Sequence, residues 1–374
     1  MRVALINYGH FAEQRDPQRL LDDFETLTGW AAGLRDAGAE VVVVQGFTRD
    51  QRFERDGVAY RFVAGRFAPR LSRWRIPRRL HRAVRDEAPD VVHLNGLLYF
   101  LQARHLRRTL PPATVLVAQH HAEKPESGLL AALQGWGLAA VDGFFFTGLG
   151  SAAPWRPRIG ERPVLEIAEG STRFAAGGRE DARAVAGLRG EPVCLWVGNL
   201  EPNKDPLTVL AGFERTLTEL PAARLYMIYR DGELLPAVRR RLADAPALAG
   251  SVELLGRVEH RRLEPYLQGA DFLLSGSRYE GSGYAVIEAL ACGAVPVVTD
   301  IPSFRFLTGG GAAGVLWTPG DPDALAAALL DAARRPLAAS RAAVRAFFDE
   351  TLSYAAIGRQ AVGAYRRLRE ARGA

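Results

Sequence analysis

Ser277-Arg278-Tyr279-Glu280-Gly281-Ser282-Gly283-Tyr284-Ala285-Val286-Ile287-Glu288-Ala289-Leu290-Ala291-Cys292-Gly293 follows the apolar run Asp271-Phe272-Leu273-Leu274-Ser275. The run reads as a buried strand, the glycines as a turn, and the segment from Gly283 as a helix. Glu280 falls where the strand has just ended. Glu288 lies about two helical turns further on, in a helix whose other positions are nearly all apolar or small. A carboxylate there is costly unless it meets a partner or a ligand. The N–H groups of Gly283, Tyr284 and Ala285 open the helix and offer an anion a seat between the two glutamates. The plain alternative, a solvated loop acid and a helix-surface acid, fits poorly with so apolar a helix.

The same grammar of strand, turn and helix extends in both directions. Towards the N-terminus, Val3–Asn7, Glu40–Gln45, Val58–Val63, Asp90–Asn95, Thr114–Ala118 and Gly143–Phe146 read as strands. Gln18–Asp36 and Pro77–Asp86 read as helices, and the residues between Gln45 and Val58 as a charged turn. Between Gly150 and Gly190 prolines and glycines loosen the pattern, with Val164–Ala168 a strand crossing from one half to the other. The alternation restarts at Val193–Val197 and continues through Arg224–Tyr229, Val252–Leu255, Asp271–Ser275 and Val295–Thr299. Continuous apolar strands joined by helices predict parallel sheets covered on both faces. The fold class is therefore α/β, with two doubly wound units: 1–165, 166–350, and a C-terminal helix, 351–374, long enough to pack back on the first. Ligands of such sheets bind beyond the carboxyl ends of the strands. Gly9 with His10, His93 with Asn95, and His120 to Lys124 fall at that edge.

At 374 residues with 48% hydrophobic and 24% charged residues, the chain can bury two cores. The mean hydropathy of -0.06 excludes disordered and fibrous classes. Cys194 and Cys292 sit in separate apolar surroundings and read as reduced core thiols. The first residues run straight into a strand without the layout of a signal peptide, and Leu129–Phe146 is too interrupted to span a bilayer, so a cytoplasmic protein is expected. Net charge is +6, and only Lys124 and Lys204 are lysines. An arginine bias of that kind reads as a coding bias, which makes the two lysines the more informative cations.

The second half resembles the nucleotide-sugar-binding domain of glycosyltransferase family 4. The resemblance rests on Val197-Gly198-Asn199-Leu200-Glu201-Pro202-Asn203-Lys204-Asp205, Leu254-Leu255-Gly256-Arg257-Val258, Glu280 through Glu288, Gly293-Ala294-Val295-Pro296-Val297-Val298, and Gly314-Val315-Leu316 with Pro319-Gly320-Asp321. In the first half it rests on Asp90-Val91-Val92-His93 and His121. It implies the GT-B fold, two facing Rossmann-like domains with a cleft between them, and a retaining transferase that uses a nucleoside diphosphate sugar as substrate, with no cofactor and no metal. By the resemblance, Glu280, His121 and Lys204 would serve the chemistry. Glu288 would hold the ribose, Ser282, Gly283, Tyr284 and Ala285 the sugar and phosphates, and backbone at Arg257 the base. The loop at Gly9 would face the acceptor, and His120 would serve either structure or the acceptor. A diphosphate calls for a cation and a helix N-terminus, and sugar hydroxyls call for carboxylates. Two positions depart from the family: Asn199, where an arginine commonly meets the phosphates, and Tyr229, commonly glycine. Lys204, Arg257 or Arg278 would then have to supply the missing charge.

The arginines from Arg66 to Arg85, interleaved with Phe67, Leu71, Trp74 and Ile76, suit an anionic bilayer or a phosphorylated acceptor, or simply a solvated amphipathic helix. Nucleic acid is not expected, since stacking platforms are absent. Gly148-Leu149-Gly150 resembles a dinucleotide fingerprint, but Pro154 and Pro157 oppose the helix that a pyrophosphate needs. Other nucleotide-sugar chemistry in the same fold, epimerisation or phosphorolysis, and a non-catalytic sugar-nucleotide-binding protein are the alternatives to transfer.

Overall fold

The computed structural model describes residues 1–9, 16–65 and 72–373. His10, Arg66, Phe67, Arg70 and Leu71, singled out above, lie outside the described residues. The chain divides into two units, Met1–Ser171 with Tyr354–Ala374, and Thr172–Ser353.

The first unit runs β1 (Arg2–Asn7), α1 (Pro17–Asp23), α2 (Glu25–Asp36), β2 (Glu40–Phe47), β3 (Gln51–Arg55), β4 (Val58–Ala64), α3 (Arg78–Asp86) and β5 (Val91–Asn95). It continues with α4 (Phe100–Thr109), β6 (Val115–Gln119), α5 (Leu129–Leu138), β7 (Gly143–Phe146), α6 (Arg156–Ile159) and β8 (Val164–Glu166). The strands form one sheet in the order β3-β4-β2-β1-β5-β6-β7-β8, parallel except for the β3–β4 hairpin at its edge. Val41–Val44, Val91–Leu94 and Val115–Ala118 are buried, as continuous apolar runs in a doubly covered sheet require.

The second unit runs α7 (Arg179–Ala186), β9 (Val193–Val197), α8 (Pro206–Thr216), β10 (Arg224–Ile228), α9 (Leu235–Ala243), α10 (Pro246–Ala249), β11 (Val252–Gly256), α11 (Glu264–Gly269) and β12 (Phe272–Ser275). Then come α12 (Tyr284–Cys292), β13 (Val295–Thr299), α13 (Pro302–Leu307), β14 (Val315–Trp317), α14 (Pro322–Arg334) and α15 (Leu337–Phe347). Its sheet, β11-β10-β9-β12-β13-β14, is parallel throughout. The order reverses between β9 and β12, so the loops leaving those two strands flank the crevice in which such sheets bind ligands. Cys194 and Cys292 are free thiols buried in this unit.

A π-helical turn at Phe348–Leu352 ends α15, and α16 (Tyr354–Arg372) returns to the first unit. There it packs on α2 where Gly33 and Gly358 meet: a Cβ on Gly358 would stand 2.0 Å from the Gly33 carbonyl oxygen. Tyr365 Oη lies 2.5 Å from His93 Nδ1, so His93 is a core residue of this unit.

Local expectations need correcting in four places. Gln18–Asp36 is two helices, because Asp16 caps the first through the Gln18 amide and Phe24 leaves helical geometry at ψ 65. The charged turn before Val58 contains β3, an edge strand that buries only the Phe53 face against Tyr60 and Phe62. Val164–Glu166 does not cross between halves but pairs with β7 and completes the first sheet. The C-terminal helix begins at Tyr354 rather than at 351, because Ser353 leaves helical geometry with ψ 153. Among the described residues no helix is long and apolar enough to cross a membrane.

Candidate active site

The crevice loops of the second unit are bound to each other. Arg278 N donates to Asn203 O at 2.8 Å, and Asn203 Nδ2 donates to Tyr279 O at 3.0 Å. The Arg278 guanidinium meets the Asp205 carboxylate at 2.7 Å. Asp205 is left-handed at φ 43 and caps α8 through the Thr208 amide. The loops approach this closely because residue 276 is glycine: a Cβ there would stand 3.0 Å from Asp205 O. The result is that Lys204 and Glu280 form a direct ion pair, while Ser277 Oγ donates to the same Glu280 oxygen at 2.7 Å. Their side chains are 26% and 15% exposed, so the pair is accessible yet shielded.

Gly283 precedes α12 in the left-handed region, φ 64, with no side-chain cap. A Cβ there would meet Leu307 at 2.5 Å, so both conformation and space require glycine. The amides of Gly283 and Ala285 have no acceptor among the described residues. Val286 to Cys292 are buried, and Glu288 with them, its side chain 6% exposed. His260 supplies its partner: Nε2 lies 2.6 Å from Glu288 Oε1. A carboxylate only accepts, so the ring nitrogen donates. His260 stands in a short 3-10 turn, His260–Arg262, after β11, and its ring stacks on Phe174 at 5.0 Å. Sequence reasoning missed this histidine. The available signal was a histidine close behind Gly256-Arg257-Val258, at the carboxyl end of a strand.

Asn199 lines a cavity of ≈ 520 Å³ with Glu201, Asn203, Arg230, Asp231 and Gly232. A Cβ on Gly232 would fall 2.2 Å from Leu200 O, which locks the two rims together. Of the expected substitutes for an arginine at position 199, Arg278 is engaged by Asp205 and Arg257 is exposed after the left-handed Gly256. Arg230 is the arginine that shares the Asn199 cavity. Tyr229 is buried, its amide donating to Gly256 O at 3.0 Å.

In the first unit, His120 and His121 leave β6 together but diverge. The His120 ring is buried between Phe146, stacked at 4.8 Å, and Trp155, and Nε2 lies 3.0 Å from Glu123 O. It faces the core. His121 is partly exposed; its amide donates to Glu123 Oε2 at 2.6 Å and its Nδ1 lies 3.7 Å from Glu169. Its Nε2 has no hydrogen-bond partner among the described residues. Burial lowers the His121 pKa, against the opposing pull of Glu123, so the ring is neutral at neutral pH. Ala122 follows at φ 60, strained for a residue with a Cβ, and Glu123 Oε1 also accepts from Leu97 N at 2.9 Å. One carboxylate thereby fixes the loops after both β5 and β6. Gly9, at the end of β1, donates to Asn7 Oδ1 and accepts from Gln45 Nε2.

The family described as Glycosyl transferases group 1 matches residues 191–335, and the Glycosyl transferase 4-like domain matches residues 25–165. The chain is 27% identical over 244 residues to a GDP-mannose:cellobiosyl-diphosphopolyprenol alpha-mannosyltransferase of Xanthomonas campestris, an alignment spanning 61% of this chain and 60% of the relative's length. Among solved structures, sucrose-phosphate synthase from Thermosynechococcus elongatus superposes with a TM-score of 0.69 at 20% identity, covering 99% of each chain. Anabaena HepE in complex with UDP and glucose gives 0.66 at 15% identity, over 98% of this chain and 100% of that one.

Proposed function

The chain belongs to the group 1 glycosyltransferases of the family 4 type and has the GT-B fold, and from that premise we propose that it moves a glycosyl group from a nucleoside diphosphate sugar to an acceptor hydroxyl with retention at the anomeric carbon. The observation that carries this reading is the set of groups around the start of α12: buried Glu288 held by His260, the Lys204–Glu280 pair, and the open amides of Gly283 and Ala285. A nucleoside diphosphate sugar brings a ribose diol, a diphosphate and sugar hydroxyls. Glu288 accepts from the diol, Lys204 and the helix N-terminus meet the diphosphate, and Glu280 accepts from the sugar.

In this scheme the donor is a substrate and no cofactor takes part. The anomeric C–O bond breaks with its electron pair leaving on the phosphate oxygen. Lys204 and the α12 amides stabilise the charge that develops there. The acceptor oxygen bonds to the anomeric carbon on the face that the diphosphate leaves, and its proton passes to the departing phosphate oxygen. His121 is the first unit's candidate for a substrate hydroxyl, a neutral, partly exposed ring whose buried Nε2 has no hydrogen-bond partner among the described residues.

The Xanthomonas relative is named for GDP-mannose and a lipid-linked acceptor, and HepE was solved with UDP and glucose. GDP-mannose and UDP-glucose therefore head the donor panel, and a lipid-linked sugar is the first acceptor to supply. The test measures nucleoside diphosphate release across that panel and the thermal shift given by each nucleotide to the wild type and to Glu288→Ala. Stabilisation of the wild type and a lost shift in the variant are expected. No stabilisation by any nucleotide, or the same shift in both proteins, would remove the donor site.

A further inference from the structure

α5, Leu-Leu-Ala-Ala-Leu-Gln-Gly-Trp-Gly-Leu from Leu129 to Leu138, contains no charged residue. A helix apolar on every side belongs in a core, yet only Gln134, Gly137 and Leu138 of α5 are buried. Leu129, Ala132 and Trp136 share the opposite face at helical spacing, and Leu129 is 93% exposed and Trp136 45%. Leu129 heads the helix directly after the left-handed Gly128, so it protrudes at a corner of the chain.

Cations surround this stripe. Arg104 and Arg108, one turn apart on α4, lie over the Trp136 ring at 4.8 and 6.0 Å. A second exposed aromatic, Trp74 at 52%, carries Arg73 over its ring at 5.3 Å. It is tied to the same region, because Arg73 pairs with Glu126 just ahead of α5 and Gln102 of α4 donates to Arg73 O at 3.0 Å. That pairing removes the nearby acid. Arg78, Arg104 and Arg108 have no carboxylate partner among the described residues, and Arg78 and Arg108 both act on the His105 ring between them. The region combines aromatic and aliphatic groups with a surplus of positive charge.

We propose that the exposed face of α5 and the arginines beside it form a docking surface for an anionic lipid bilayer. Leu129 and Trp136 enter the interface, where an indole keeps its ring in apolar contact and its N–H in water. Arg78, Arg104 and Arg108 meet lipid phosphates. The charge argues for this occupant over a second copy of the chain. A two-fold contact through this face would set the same unpaired arginines against each other. The surface stands on unit 1 alone and does not depend on the reading of the donor site.

The test is co-sedimentation of the full chain with phosphatidylcholine vesicles with and without phosphatidylglycerol, together with tryptophan emission. Binding only to the anionic vesicles, with a blue shift, is expected. Leu129→Ser/Trp136→Ala should lower the partition coefficient about tenfold or more. Arg104→Gln/Arg108→Gln should weaken binding and flatten its salt dependence, which is steep because the screening length falls from about 10 Å at 0.1 M salt to about 3 Å at 1 M. Both variants should keep the wild-type circular dichroism and nucleotide thermal shift, which separates this surface from the donor site and from misfolding. Equal binding to neutral and anionic vesicles, no binding to either, or unchanged partition of the Leu129→Ser/Trp136→Ala variant overturns the proposal. So does a concentration-dependent dimer that dissociates in that variant while its vesicle binding persists.

Discussion

Replacing Glu280 by glutamine should tighten binding of a free nucleoside diphosphate while impairing sugar transfer. The Lys204 ammonium is already engaged by the Glu280 carboxylate, so a diphosphate must draw it away before the two can pair. Two unit charges about 4 Å apart attract by about 4 kcal/mol at an effective dielectric near 20, and exposed pairs net about 1 kcal/mol or less. With side chains 26% and 15% exposed, the resting pair opposes diphosphate binding by about 1 kcal/mol, or about fivefold in Kd. Glu280→Gln should therefore bind UDP or GDP about fivefold more tightly. Lys204→Gln removes a charge-assisted contact worth about 1.5–3 kcal/mol but also the need to leave Glu280, for a net loss of about two- to thirtyfold. Calorimetric titration with the diphosphates reads both effects, and the bare nucleoside, which on the proposed reading depends on Glu288 and not on Lys204, serves as the control. If Glu280→Gln weakens diphosphate binding as Lys204→Gln does, the exchange of Lys204 between carboxylate and phosphate is wrong.

Three further outcomes follow from neighbouring geometry. His260→Ala leaves Glu288 buried without its donor at 2.6 Å, so the donor KM should rise about tenfold with a smaller change in kcat; a fall in kcat at constant KM would contradict the positioning role. The buried rings of His81 and His93 have pKa values lowered by desolvation to about 3. The unfolded chain, with histidines near 6.5, binds more protons between those values, so stability is full above about pH 6.5 and falls as pH drops through that window. By about pH 5 the two rings together cost about 4 kcal/mol, and a urea midpoint unchanged between about pH 7 and about pH 5 would refute the assignment. Gly33→Ala places a Cβ 2.1 Å from the Tyr354 carbonyl oxygen and should cost about 1–3 kcal/mol, read as a lowered Tm, whereas Gly38→Ala, with nothing within 4 Å but φ 85, tests left-handed strain without overpacking.

What the sequence disclosed follows from which interactions are local. Strands covered on both faces are unbroken apolar runs, so β1, β2, β5, β9, β12 and β13 stand out in the chain. Lys204 and Glu280 follow β9 and β12, adjacent strands at the reversal of the sheet, so a parallel topology alone brings their loops together. β3 escaped because an edge strand has only one face to bury and can be polar elsewhere. His260 escaped for a tertiary reason: it follows β11, at the far edge of the sheet, and reaches Glu288 only through the packing of the following turn and helix. His120 and His121 are alike in sequence, and only the aromatic cage of Phe146 and Trp155 decides which of them points inward.

Arginine abundance carried little meaning in the sequence because nothing there tells a paired guanidinium from an unpaired one. In the fold, Arg2, Arg52 and Arg61 converge on buried Glu87, and Arg179 and Arg183 on buried Asp271. These seven charged groups of two clusters hold strand ends and loop ends together, where losing one partner would strand a buried charge. Within the segment that drew notice for its charge, Arg79 pairs with Asp50 and Arg85 with Asp86. Among the described residues Arg78, Arg104, Arg108 and Arg230 form no ion pair; Arg104 and Arg108 lie over Trp136 of the exposed α5, Arg78 acts with Arg108 on the His105 ring, and Arg230 shares the Asn199 cavity with three acids, Glu201, Asp231 and Glu233. An anion approaching Arg104 or Arg108 meets a cation with no carboxylate partner among the described residues to leave, whereas Lys204 must leave Glu280 and Arg230 stands among acids. On the proposed readings, the sign of the local charge balance, rather than the number of arginines, would decide where an anionic ligand is held.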